Sequence, residues 1–340
     1  MPKKQLLNGV GLAVLIVLSF LVPTFFKSYY IISVISLMVM NILLSSTVRV
    51  IWLLDQFPMG QVGFALVGAY GSALLMMKVG LSFWVTLPAA GLMAGALALA
   101  VGYPILKVKG IYFAILTVMM AETLRLVTYH WRGVTGGQHG LLGIPAPAPI
   151  TLPIIGTLNF DNISHYYYIV IVVTLISLFI IYKLEHSHLG AKWRAIRDSE
   201  ALAHAIGINV SWYMMANFAI AAFFAGISGA LFAHFQQTIS ANSTSRFGVS
   251  MSMMLIIYMA VGGEGKFVGP IIGTVFLTFI SEMARPVREY VPMIFAAIAI
   301  LVMIFMPEGL AGLPDRGKGL LKGGGLGKSW WLRLIKRERL

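Results

Sequence analysis

Residues 212–234 read WYMMANFAIAAFFAGISGALFAH, an apolar run without a single Asp, Glu, Lys or Arg. A bilayer core about 30 Å thick is crossed by about 20 predominantly apolar residues in a helix. Within lipid, every backbone N–H and C=O needs a partner inside the protein, and a helix supplies those partners from its own segment. The run is therefore predicted to be a transmembrane helix.

Similar runs fill most of the 340-residue chain. Its residues are 59% hydrophobic and 11% charged, and the mean hydropathy is +0.86, more apolar surface than a water-soluble domain buries. Breaks at charges, Gly and Pro delimit ten predicted spans: 9–26, 31–50, 60–77, 81–106, 111–129, 166–183, 212–234, 248–262, 266–284 and 290–306. The predicted fold class is all-α, a polytopic membrane helix bundle of about ten transmembrane helices over residues 1–313, followed by a basic tail over residues 314–340.

The first apolar run, residues 9–26, follows Lys3 and Lys4 and so resembles a signal peptide. It lacks a small-residue cleavage site and other spans follow closely, so we interpret it as a transmembrane span. The chain has no Cys, which excludes disulfides, thiolate metal sites and cysteine nucleophiles.

The net charge of +13 is explained by membrane orientation better than by nucleic-acid binding, because the cations stand at the ends of apolar runs. With a cytoplasmic amino terminus, the inner side receives the tail and Lys3, Lys4, Arg49, Lys107, Lys109, Lys183, Lys192, Arg194, Arg197 and Lys266. The outer side receives Lys27, Lys78, Arg132, Arg246, Arg285 and Arg288. This asymmetry predicts an even number of spans and both termini in the cytoplasm.

Small residues recur inside the spans, as in GFALVGAYGSALL (residues 63–75), AGISGA (225–230) and GPIIG (269–273). Spacings of this kind let helix backbones approach closely, so most of these residues are interpreted as packing positions. GQVGF at Gly60 and GKFVGP at Gly265 are each a Gly-flanked break before an apolar helix, a weak indication of an internal repeat.

The inward segment HSHLGAKWRAIRDSEALAHAIGIN, residues 186–209, is polar and amphipathic. Helical spacing predicts that Trp193, Ile196, Ala203 and Ile206 share one face and that Arg194, Arg197, Asp198 and Glu200 lie on the opposite face. Two interpretations are open: a handle on which a soluble partner acts, or a surface helix lying on lipid headgroups.

The same segment resembles the branched-chain amino acid ABC permeases, the LivM/LivH family. The pattern E-x-S-x-x-G followed by R-A-I-R-D-x-E-x-x-A-x-x-x-G-I is matched by Glu185, Ser187, Gly190, Arg194, Ala195, Ile196, Arg197, Asp198, Glu200, Ala203, Gly207 and Ile208. The resemblance implies a type II ABC importer-like permease fold and a loop on which cytoplasmic ATPase subunits dock.

Further stretches look like the LivM-type subunit: residues 63–70, 109–117, 135–145, 262–273 and 306–313. The resemblance implies four partners: a second, LivH-like permease, two cytoplasmic ABC ATPases and a periplasmic solute-binding protein. Residues 52–61, WLLDQFPMGQ, depart from the Gly- and Ser-rich turn that is usual in the family. This departure leaves the identity of the solute open.

ATP hydrolysis is not expected in this chain. The tail sequence KGGGLGKS (residues 322–329) is one residue short of a P-loop, and neither flank predicts the strand and helix that a nucleotide site needs. A basic tail beside anionic headgroups explains it better. His186 and His188 are two residues apart and do not share a helix face, so no metal site or other cofactor is predicted.

On the outer side, Glu122 and Arg125 are three residues apart near the end of a span, and Glu282 and Arg285 repeat that spacing. Each pair either neutralises itself or forms an outer gate that grips a zwitterionic solute. The TGGQHG turn, residues 135–140, is either a plain loop or a nest of backbone amides for a carboxylate. The candidate pathway or gate residues are Gly63, Gly68, Tyr70, Glu122, Arg125, Thr135, Gly136 and Gly137.

The predicted function is a permease subunit, without enzymatic activity, in an ATP-driven importer of the cell inner membrane. Its cargo is a small amino acid of the branched-chain type or a related small carboxylate, with urea, other amides or aromatic acids as alternatives. An ion-coupled carrier would need a relay of charges through the bundle, and an intramembrane enzyme would need clustered catalytic groups; the sequence indicates neither.

Overall fold

The computed structural model describes residues 28–152, 156–158, 162–242, 246–306 and 309–312. The predicted span 9–26 and the tail with its KGGGLGKS stretch lie outside the described residues. The helices are α1 Tyr29–Trp52, α2 Gln61–Val79, α3 Phe83–Leu106, α4 Ile111–His130, α5 Arg132–Thr135, α6 Ile163–Glu185, α7 His188–Asp198, α8 Glu200–Ala205, α9 Val210–Gln236, α10 Val249–Gly262, α11 Gly269–Met283 and α12 Val291–Phe305.

The predicted spans that fall within the described residues are helices, which confirms the all-α class. Six helices (α1, α2, α3, α4, α6 and α9) are long and apolar enough to cross a membrane, and α10, α11 and much of α12 are shorter apolar helices. The start predicted for α11, residue 266, is wrong by three residues. The chain turns through residues 263–268, and the helix begins at Gly269 with Pro270 in its first turn, where a missing N–H has no helical role.

Helix α9 lies at the centre of the bundle and packs mainly against α3, α2 and α1. Its most apolar stretch is 78% buried, against 28% for α4. A Cβ atom built on Gly229 would lie 1.8 Å from the carbonyl oxygen of Ala65, and one on Gly68 would lie 2.2 Å from that of Gly226. The backbones of α2 and α9 therefore touch, which confirms that AGISGA serves helix packing.

Helices α10 and α11 form a second close pair. A Cβ atom on Gly262 would lie 1.8 Å from the carbonyl oxygen of Gly269, and one on Gly273 would lie 1.9 Å from that of Tyr258. The two Gly-flanked breaks that suggested a repeat have different surroundings. A Cβ on Gly60 would lie 2.7 Å from Thr117 O, whereas one on Gly265 would meet nothing within 4 Å.

Buried polar side chains link the helices across the bundle. Ser45 Oγ lies 2.9 Å from Thr274 Oγ1, Ser228 Oγ donates to Met40 O at 3.0 Å, and Asn217 Nδ2 donates to Val50 O at 2.9 Å. These bonds tie α1 to α11 and α9, because a buried hydroxyl or amide is stable in an apolar interior only when it is paired.

The long connections on the predicted outer side carry short strands. β1 Leu141–Leu142 pairs antiparallel with β4 Thr238–Ile239, and β2 Ile150–Leu152 pairs antiparallel with β3 Gly156–Leu158. The first pairing fixes the loop after α4 to the loop after α9, so both outward loops pack as one unit over the end of the bundle.

Replacing Gly229 by Ala is expected to destabilise the bundle by about 3 kcal/mol or more, because the new methyl group overlaps backbone that cannot move without separating α2 from α9. Gly133 is the matched control, because a Cβ there meets nothing within 4 Å. Thermal unfolding of the detergent-purified variants is the measurement. Equal melting temperatures for Gly229→Ala and Gly133→Ala would contradict the close contact.

Candidate functional site

The inward segment folds as two short helices, α7 and α8, rather than as one stretch. Ser199 separates them with an extended backbone (φ −165°, ψ 111°), and its side chain accepts a hydrogen bond from Leu202 N at 3.2 Å. Ser187 caps α7 in the same way by accepting from Leu189 N at 3.2 Å. The two N-caps fix where each helix starts.

The predicted apolar face is correct for three of its four residues. Trp193, Ile196 and Ala203 are 1–2% exposed, and Trp193 Nε1 donates to Tyr213 O at 3.1 Å. The prediction is wrong for Ile206, which is 67% exposed. The extended backbone at Ser199 interrupts the helix, so the 3.6-residue spacing that placed Ile206 on the face of Trp193 does not continue past it. Ile206 also lies beyond the end of α8, at Ala205.

Gly190 and Arg194 hold α7 against the end of α6. A Cβ atom on Gly190 would lie 1.9 Å from the carbonyl oxygen of Glu185, so α7 contacts the backbone of α6 directly. Arg194 Nη1 donates to the same carbonyl at 3.0 Å. The segment is therefore attached firmly to α6 and, through Trp193, to α9.

The side chain of Glu185 extends this attachment into the bundle. Its carboxylate forms a bidentate ion pair with Arg49 of α1, in which Arg49 Nη2 donates to Glu185 Oε1 at 2.8 Å. Both side chains are buried, with exposures of 4% and 9%. The charge pattern along the sequence places Arg49 at an inner helix end but does not indicate this pair. A lone charge inside the apolar run 31–50 is the signal that could have found it, because such a charge needs a partner.

Charged residues surround the segment at the inner end of the bundle. Lys109, in the α3–α4 connection, pairs with Glu200 at 2.5 Å, and this pair is largely exposed. Burial raises the pKa of Glu264, in the α10–α11 connection, while the nearby charge of Arg197 lowers that pKa and the charge of Asp55 raises it. Glu264 thus lies near Arg197 of α7 and near Asp55 of the α1–α2 connection.

The side of the segment turned away from the bundle combines charged and apolar groups. Arg194, Arg197 and Asp198 are exposed, and so are Leu202 (65%) and Ile206 (67%). Gly207 ends the segment with φ +85°, a conformation that favours glycine. We call the exposed side of residues 194–207 the inner face; it suits a protein partner because apolar side chains are rimmed by charges.

On the outer side, Glu122 and Arg125 pair as predicted. Arg125 donates from Nε to Glu122 at 2.9 Å and from Nη2 at 2.5 Å. Its third nitrogen, Nη1, donates to Ala241 O at 2.6 Å, so α4 is tied to the loop after α9. The Glu122 side chain remains 29% exposed on the sparsely covered helix α4.

Of the other gate candidates, three lie in helix contacts. A Cβ on Gly63 would lie 2.8 Å from Ala121 Cα of α4, and Gly68 contacts Gly226. Tyr70 is 4% exposed, and its hydroxyl lies 3.5 Å from Ile239 O. Gly63 and Gly68 thus hold α2 against α4 and α9, and Tyr70 reaches the loop after α9.

The TGGQHG turn is packed more tightly than a free nest. Thr135 Oγ1 lies 2.6 Å from Thr128 O and accepts from Gly137 N at 3.3 Å. Gly136 and Gly137 have φ of +73° and +58°. A Cβ on Gly140 would lie 2.0 Å from Ile239 O, and Gly140 N donates to Gly137 O. Of the two interpretations of this turn, the plain loop is favoured at Gly137 and Gly140, because the amides of both residues have partners within the turn.

The second predicted outer pair does not form. Glu282 accepts a hydrogen bond from the hydroxyl of Tyr30, and the guanidinium of Arg285 lies 4.5 Å from the centre of the Tyr30 ring. Tyr30 therefore contacts both charged groups. Across the described ranges there is no cluster of three or more His, Cys, Asp or Glu residues that would hold a metal ion.

Residues 9–307 match the family model described as the permease component of the branched-chain amino acid transport system. The chain is 32% identical over 269 residues to the high-affinity branched-chain amino acid transport system permease protein LivM of Escherichia coli, a match covering 74% of this chain and 63% of that protein.

More distant relatives share parts of the chain. The permease protein LivH of Escherichia coli is 27% identical over 134 residues (39% of this chain, 42% of LivH). The ribose import permease protein RbsC of Escherichia coli is 25% identical over 264 residues (71% and 74%). The chain thus spans just under two thirds of the length of its LivM relatives. No solved structure matches it.

Replacing Glu185 by Gln is expected to destabilise the protein by about 3–5 kcal/mol, because it leaves the buried Arg49 charge without its counter-ion. Glu200→Gln removes an equivalent carboxylate from the exposed pair with Lys109 and is expected to change the free energy of unfolding by less than about 1 kcal/mol. Thermal unfolding of both purified variants compares them. A loss in Glu185→Gln no larger than that in Glu200→Gln would contradict the structural role of the buried pair.

Proposed function

Because this chain belongs to the branched-chain amino acid transport permease family, we propose that it is the membrane-spanning subunit of an ATP-driven solute importer. It is a multi-pass protein of the inner membrane. In the proposed orientation both termini are cytoplasmic, which puts residues 186–209 inside the cell and residues 130–165 outside.

The observation that carries the proposal is the attachment of the inner face to the bundle. Helix α7 contacts the backbone of Glu185 without an intervening side chain, and the Glu185 carboxylate binds Arg49 of α1. A force applied to α7 therefore reaches α6, α9 and α1 through direct contacts. An element that receives work from a soluble partner needs such a rigid connection.

The proposed partners follow from this arrangement and from the relatives. Two cytoplasmic ATPases dock on the inner faces of this chain and of a second, LivH-like permease, and a periplasmic binding protein delivers the solute to the outer loops. The weakly buried helix α4, with its partly exposed Glu122, supports the presence of a neighbouring subunit, because a charge facing lipid is costly. ATPase closure then switches access to the pathway.

The proposed cargo is a small amino acid of the branched-chain type or a related small carboxylate. Urea, other amides and aromatic acids are the alternatives, since residues 52–61 depart from the family pattern. In this proposal the chain catalyses no reaction. Uptake that persists in cells lacking the partner ATPases would favour an ion-coupled carrier instead.

The double substitution Leu202→Ser and Ile206→Ser is expected to lower ATP-driven uptake at least about tenfold while the chain still inserts and folds. Both side chains are more than 60% exposed, so their loss removes contact area for the ATPase without opening the core. Uptake in cells and co-purification of the ATPase are the two measurements.

The matched control is Leu142→Ser, which removes a leucine of equal exposure (66%) from the outer side. It is expected to leave ATPase co-purification unchanged. If the double variant keeps full uptake and full co-purification, the inner face is not the docking surface.

A further inference from the structure

Arg49, Arg125 and Arg246 are each at least half-buried, and they differ in whether a carboxylate neutralises the charge. Arg49 is 4% exposed and pairs with Glu185, and Arg125 is 6% exposed and pairs with Glu122. Arg246 is half-buried, and the described residues offer it no carboxylate partner. From the sequence, Arg246 is predicted only to be one of the outer positive charges.

Arg246 belongs to the loop between α9 and α10, which folds onto the outer end of the bundle. Ile239, Ala241 and Phe247 of this loop are buried. Arg125 donates to Ala241 O at 2.6 Å and β4 pairs with β1, so residues 238–241 are fixed to α4 and to the loop after it. Arg246 directly precedes Phe247, whose buried ring lies 5.7 Å from that of Phe232 in α9, so its backbone is anchored to the bundle.

The contacts of Arg246 are polar or aromatic but not anionic. Its Nη2 donates to the side-chain oxygen of Asn41 in α1, and its guanidinium carbon lies 4.6 Å from the centre of the Phe232 ring in α9. Burial lowers its pKa to about 10, so the group is still charged at neutral pH. An amide and an aromatic ring solvate a cation but do not cancel its charge.

The unused groups at this position are hydrogen-bond donors. The guanidinium has five N–H groups in a planar fork, and Asn41, whose oxygen is occupied, keeps its NH2 group as a donor. Both residues are half-buried, so part of each remains reachable. A fork of donors with a net positive charge is complementary to a carboxylate, which it binds through two parallel charge-assisted bonds.

We propose that Arg246, assisted by Asn41, binds the carboxylate of the solute as it passes the outer half of the bundle. This inference rests on the proposed import function and names the chemical group that the pathway recognises. Arg125 is unsuited to the same role, because Glu122 already occupies two of its nitrogens and Ala241 the third.

The test uses the full complex, with partner permease, ATPases and loaded binding protein, reconstituted in proteoliposomes and supplied with radiolabelled L-leucine or L-phenylalanine as carboxylate probes. Solute uptake and ATP hydrolysis are measured together. Arg246→Gln is expected to reduce the solute moved per ATP at least about tenfold, while hydrolysis stimulated by the loaded binding protein stays within about twofold of wild type. Arg246→Lys, which keeps the charge but not the fork, is expected to recover part of the uptake.

Lys78→Gln is the control, because it removes an exposed cation at the outer end of α2. It is expected to leave uptake and hydrolysis unchanged. Wild-type uptake ratios in Arg246→Gln would overturn the proposal. Uptake and hydrolysis falling together, or loss of the assembled complex in both Arg246 variants, would assign Arg246 to packing or to a partner subunit and would overturn it as well.

The proposed function fails in a distinguishable way. If the wild-type complex itself imports neither probe with ATP, the importer assignment for these solutes falls, and the Arg246 inference falls with it. If the wild type imports a probe and Arg246→Gln does so equally well per ATP, only the Arg246 inference falls.

Discussion

The buried ion pair between Arg49 and Glu185 joins the membrane bundle to the inner segment. The side chain of Glu185 pairs with Arg49 of α1. The backbone carbonyl of Glu185 accepts a hydrogen bond from Arg194 and lies in close contact with Gly190. In an apolar environment such a pair holds only while both partners are present, since either charge alone is strongly unfavourable. The pair therefore ties the end of α6, against which α7 packs, to α1.

Glycine contacts set the rest of the geometry. At the crossings of α2 with α9 and of α10 with α11, backbone meets backbone, so the distances between these helices are fixed by the chain itself. The outer loops use the same device, with Gly140 seated against Ile239. Helix association in lipid relies on close packing and interhelical hydrogen bonds rather than on hydrophobic exclusion, which explains why small residues carry so much of this fold.

What the sequence predicted well was local. The described spans follow from runs of apolar residues, and the Glu122–Arg125 pair follows from a spacing of three residues within one helix. The failures needed information from elsewhere in the chain. Tyr30 is more than two hundred residues from Glu282, and Arg49 is 136 residues from Glu185. Ile206 was misplaced because one extended residue, Ser199, reset the helical period.

The direct contact of Gly190 with the carbonyl of Glu185 affects how movement passes from α7 to α6. A side chain placed between α7 and α6 would be able to change rotamer when α7 moves. Part of the displacement would then be absorbed as local deformation. Backbone against backbone has no such compliance. We therefore expect a displacement of α7 to reach α6 with little local deformation, because close-packed backbone has no room to absorb it.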